Sequence, residues 1–143
     1  MSLPVWVEVH VDDEILSREP HRWPEARALI DQIAALAESR GARLCFRFRE
    51  AFSSGAVGTG FLPGLIERGH EIGVHAHGRR LAEATAAIRS CDVEPATAVP
   101  GLVQVGAEGR KALLQQVASL GIGLVTDHGP HPGWAYEGFA PRL

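Results

Sequence analysis

Cysteine is scarce: Cys45 and Cys91 are the only two, with no CxxC spacing. A disulfide framework is therefore not expected, and both thiols read as buried in a reducing, cytoplasmic setting. Neither sign of charge prevails, the formal net being −3, so there is no electrostatic footprint for nucleic acid or an anionic membrane. The short runs "RFRE" and "GRRL" read as solvated ends of elements rather than a basic patch. No stretch approaches the roughly 18 consecutive apolar residues of a membrane span. The opening "MSLPVWVEVHVDDE" has no basic region, apolar helical run or cleavage site, so it does not read as a secretory signal. What remains is a chain of 143 residues, 45% hydrophobic and 22% charged. That is enough for one domain with a real core.

One pattern recurs. "ALAESRGARLCFRF", "LIERGHEIGVHAH" and "QVASLGIGLVT" each pass from helix-like sequence through one glycine into an apolar strand. Gly41, Gly69 and Gly121 stand where a helix ends in a left-handed cap, a conformation that costs glycine little. Ala26, Leu29, Ile30, Ile33, Leu36 and Ala37 repeat at helical spacing behind Pro24, which suits a first turn. "VWVEVHV" alternates, with Val5, Val7, Val9 and Val11 on one face and Trp6, Glu8 and His10 on the other. The expected strands are 4–11, 43–49, 70–77, 96–103 and 122–127. The expected helices are 22–40, 61–68, 79–90 and 108–120, with "SSGAVGTG" as a glycine-rich loop. Helices alternating with strands through short turns give a parallel α/β sheet in a single domain over 1–143.

In such folds the functional rim carries the carboxyl ends of the strands. Asp12, Asp13 and Glu14 end the first strand, Glu50 the second, His75 and His77 the third, and Asp127 and His128 the fifth. On an extended strand His75 and His77 share a face, while Ile72, Val74 and Ala76 turn toward the core. Carboxylate and imidazole together suit zinc and its divalent neighbours, and a three-ligand site leaves a position for water. A second carboxylate beside the ligand can take that water's proton, and adjacent Asp12 and Asp13 can divide the two roles. The alternative reading makes Asp13 a helix cap and the histidines strand-end residues bonded to backbone.

"HVDDE" at 10–14 and "GHEIGVHAH" at 69–77 resemble the first two motifs of the polysaccharide deacetylase (NodB-homology) superfamily. The resemblance runs from residue 5 to residue 127 and implies a distorted β/α barrel, here incomplete with five strands. It also implies metal-dependent hydrolysis of acetyl or other acyl groups on a carbohydrate-like or small substrate. By match, Asp12 is the catalytic base, and Asp13 and His75 are metal ligands for a divalent transition metal, zinc by donor type. The family's second ligand histidine falls four positions after the first, where this chain has Arg79, so His77 is the available substitute. The third motif keeps Pro100 but has Ala98 and Gly101 nearby, without the family's arginine and aromatic residue. The competing expectation is a catalytically degenerate relative that keeps the fold, and the metal with it or not, as a binding or scaffold protein.

His10 is expected inside the barrel below the site, with Glu50, Asp127 and His128 as supporting or substrate-facing groups. His70 faces away from His75 and reads as structural; His21 reads as a loop residue. Five strands cannot close a barrel. The free edge is therefore expected under the tail 129–143, through Trp134, Tyr136 and Phe139, or against a second copy in a homo-oligomer.

Overall fold

The structure is a computed structural model that describes residues 7–11, 13–76, 78–102 and 105–126, without the side chain of Arg79. Its strands are β1 (Glu8–His10), β2 (Cys45–Phe48), β3 (Glu71–His75), β4 (Thr97–Val99) and β5 (Leu124–Val125). The helices are α1 (Glu14–Arg18), α2 (Trp23–Ser39), α3 (Glu50–Ala56), α4 (Phe61–Glu67), α5 (Leu81–Arg89) and α6 (Ala107–Ser119). All strand pairs are parallel and the sheet runs in chain order, β1-β2-β3-β4-β5. The α/β class and all five strands agree with the sequence reading, though each strand is shorter than expected. β4 stops at Val99 because Pro100 offers no N–H and Gly101 turns to φ 76°.

The apolar face follows the alternation. Val9, Phe46, Ile72, Val74, Phe48, Ala98 and Val125 belong to or pack against one core with Ile30 and Ala34 of α2, Leu65 of α4, Ile88 of α5 and Val117 of α6. Gly41, Gly69 and Gly121 have φ of 70°, 88° and 76°, as the helix–glycine–strand pattern requires. In α2 the buried stripe is narrower than the sequence suggested. Ala26, Ile30, Ile33, Ala34 and Ala37 face the core, while Leu29 and Leu36 are 57% and 63% exposed.

Two expectations fail locally. The first residues of "SSGAVGTG" are not loop but the end of α3. Gly55 suits that helix because any side chain there would strike the indole of Trp23. Helix α1, not among the expected helices but implied by the alternative reading of Asp13 as a cap, occupies the residues after Asp13.

The other face of the sheet is polar. "RFRE" is not a solvated end: Arg47 is 0% exposed and points away from the helices, beside Gly73. Its Nη2 donates to Glu8 Oε1 at 2.5 Å and to Thr126 Oγ1 at 2.6 Å, and Thr126 Oγ1 donates to Glu8 Oε1 at 2.8 Å. Glu8 opens β1 and Thr126 follows β5, so side chains bridge the first and last strands of the sheet. Both thiols are free and buried, and burial pushes each above its ordinary value. The tail 129–143 lies outside the described residues, as do Trp6 and Val5.

Burial alone would raise the Glu8 carboxyl, but hydrogen bonds from Arg47, Thr126 and His10 outweigh it and hold the group at about 2, against an ordinary 4.5. A lowered carboxyl stabilises the fold above its unfolded value and loses that contribution as pH falls toward the folded one. Stability should therefore drop between pH 4.5 and 2. Glu8→Gln leaves Arg47 buried without its counter-charge and should cost about 3 kcal/mol at neutral pH. Urea unfolding midpoints measured against pH check both: the variant should be less stable at pH 7 and show a flatter acid limb than the wild type.

Candidate functional site

Asp13 leaves β1 at the N-cap position of α1, yet its side chain does not cap that helix. Instead Oδ2 accepts a 2.8 Å hydrogen bond from the backbone N–H of Phe52, in the first turn of α3. The carboxylate thus caps a neighbouring helix, where an anion also meets the positive end of the helix dipole. Phe52 is anchored in turn, its ring stacked 4.5 Å from Phe48 and its carbonyl accepting a 2.9 Å bond from Trp23 Nε1. Core packing therefore sets the orientation of Asp13. The other oxygen, Oδ1, faces Arg49 Nε at 3.6 Å.

His75 ends β3 on the polar face. Its ring lies edge-on to His10, centroids 5.0 Å apart and planes at 65°. His10 Nε2 is 3.1 Å from Glu8 Oε2, so the carboxylate that meets Arg47 also orients this second imidazole. His10 lies beside His75 and is not among the residues that line the cleft onto which His75 opens.

Asp13 and His75, 4% and 3% exposed, both open onto one cleft of about 320 Å³. Ser17, Arg49, Glu50 and Arg80 also line it, over the small side chains of Ala51, Ala76 and Ala84. Glu50 is not a strand end but the first residue of α3, and from there it faces the cleft. Asp12, His77, Asp127 and His128 lie outside the described residues. Among the described residues no three His, Cys, Asp or Glu side chains gather as a metal site needs. Carboxylate from Asp13 and imidazole from His75 are two donor types that a divalent metal takes, and a three-ligand site would need one more.

His70 is structural, as its face indicated. Its Nδ1 accepts from the Leu44 N–H at 3.1 Å and its Nε2 lies 2.8 Å from Glu38 Oε1. Hydrogen bonds from Arg68 and then His70 pull the Glu38 carboxyl below its ordinary value. Sequence reasoning missed Ser17, Arg49 and Arg80. The signal for Arg49 was present in "FRFRE", where Phe46 and Phe48 alternate with Arg47 and Arg49.

No protein-family model, curated protein or solved structure matches this chain. The resemblance to polysaccharide deacetylases rests on the two motifs alone.

Asp13→Ala would leave the buried Phe52 N–H without its acceptor, at a cost of about 1–3 kcal/mol. Measured on metal-free protein by chemical unfolding, that loss should appear in full. An unchanged stability would show that the carboxylate contributes nothing to the start of α3.

Proposed function

We propose that the cleft is the centre of a metal-dependent hydrolase that removes an acyl group, on an open β/α half-barrel of polysaccharide-deacetylase type. The observation that carries the reading is that Asp13, at the N-cap of α1, and His75, at the end of β3, line one cleft while nearly fully buried. A formed pocket with a few convergent polar groups is the default place for a binding or active site. Asp13, His75 and His77 hold the metal, zinc by donor type, and Asp12 is the base. A zinc ion held there would supply Lewis-acid polarisation and a water acidic enough to ionise near neutral pH.

The chain's own residues do the rest. Phe52 N–H fixes Asp13 Oδ2, so Oδ1 is the oxygen turned toward Arg49 and the cleft. His10 packs against the His75 ring and restricts its tilt, a supporting role of the kind that tunes metal ligands. Asp12 accepts the proton of the attacking water as a C–O bond forms at the acyl carbon. The C–N or C–O bond to the leaving group then breaks, and the leaving group takes up a proton. Water is the only co-reactant.

A second reading has its own support. Asp13 already accepts from Phe52 and faces the Arg49 guanidinium, so its charge is compensated without a metal ion. On that reading the cleft binds a ligand and performs no chemistry.

Metal content and turnover separate the two. A hydrolase purifies with close to one equivalent of divalent transition metal; His75→Ala loses it and the exposed His21→Ala keeps it. Asp12→Asn should retain the metal and lose about 10²–10⁴-fold in rate on acetylated amides and esters. Asp13→Asn should lose both. Protein without metal, and without chelator-sensitive turnover on such a panel, would establish the binding reading instead.

A further inference from the structure

Among the described residues the charge in the cleft is not fully paired. Arg49 is engaged by Asp13 at 3.6 Å and by Glu14 at 3.9 Å. Arg80 is different: it lines the cleft from the N-cap position of α5, and among the described residues it makes no hydrogen bond or ion pair. A guanidinium is always charged and carries five donors in a planar fork matched to carboxylate or phosphate oxygens. Arg22, Arg47, Arg68 and Arg89 all hold carboxylates.

The rest of the lining narrows the ligand. Ala51, Ala76 and Ala84 leave room without offering a broad apolar wall, and among the described residues no Phe, Tyr or Trp ring lines the cleft. A platform for stacking a sugar face is therefore missing from these walls. About 320 Å³ lies at the small end of ligand sites.

We propose that the ligand is a small acylated acid rather than a polymer, with its carboxylate held by Arg80 and its acyl group directed toward Asp13 and His75. The assignment rests on the reading of this cleft as the reaction site. N-acyl amino acids have the required form: one acid group, one acyl amide and few atoms. Arg80 sits on a different element from Asp13 and His75, so it can fix one end of such a molecule while leaving the other free to react. Removing the acid group would leave Arg80 as it stands here, exposed and without a partner among the described residues.

The test uses a matched pair of probes, N-acetylglycine and N-acetylglycinamide, which differ only in the carboxylate. Binding to the full chain, loaded with zinc and also metal-free, is measured by calorimetry or by amide NMR shifts. The acid should bind about tenfold more tightly than the amide, the scale of one charge-assisted contact. Arg80→Gln should reduce that ratio to within about twofold, and Arg80→Lys should restore part of it. Equal binding of the two probes, no binding of either, or a ratio untouched by Arg80→Gln overturns the proposal. Turnover of neutral acetylated sugars with no preference for the acid would sink this assignment while leaving the hydrolase reading intact. Discrimination by Arg80 in a protein without metal or turnover would do the reverse.

Discussion

A guanidinium sealed inside the concave side of a five-stranded sheet is an expensive group to place, and the fold is arranged around it. Taking a charge out of water costs several kcal/mol after relaxation, and Arg47 is wholly buried. Glu8 supplies the counter-charge and Thr126 the second acceptor, so the first strand and the residue after the last must approach the same nitrogen. The sheet curls to permit it. Gly73 lies opposite, because a Cβ there would stand 3.0 Å from Arg47 Nη1 and closer still to Thr97 Oγ1. Among the described residues, Nε and Nη1 of Arg47 find no acceptor, which leaves Glu8 as the group on which the arrangement depends.

That dependence reaches the cleft. One oxygen of Glu8 meets Arg47, and the other meets His10, whose ring lies against His75. On the far side of the cleft, Asp13 is set by the start of α3, and α3 is set by Phe52 in the aromatic core. One wall is thus positioned by a buried charge network and the other by apolar packing. The two are independent, and they converge because parallel strands bring their carboxyl ends to the same rim.

Much of this was legible in the residues. Alternation in "GHEIGVHAH" separated Ile72 and Val74 from His75, and the same rule gave His70 its structural role. The three glycines marked the turns from helix to strand because a left-handed residue is cheap only for glycine. Arg47 was misread as a solvated end because a charged residue in a short run is most often exposed, and nothing local announces a partner in a strand far along the chain. Asp13 was expected as a metal ligand, with a cap for the helix that follows it as the alternative. It is a cap, but for a different helix, and sequence proximity could not reveal that. The helical start of "SSGAVGTG" was hidden for a related reason: its glycine content argues for loop, while contact with Trp23 requires glycine inside the helix.

By itself the sequence determined the parallel α/β alternation, the helix-to-strand turns and the apolar face of each strand, and it put acidic and imidazole groups at strand ends. These follow from periodicity and backbone sterics, which act over a few residues. Tertiary structure alone decided that Glu8, Arg47 and Thr126 share one buried network, that Asp13 serves α3, and that Glu50 and Arg80 face the cleft with Asp13 and His75. Those outcomes depend on which distant groups can satisfy a buried charge or an unpaired N–H. That demand is met only when the whole sheet has formed.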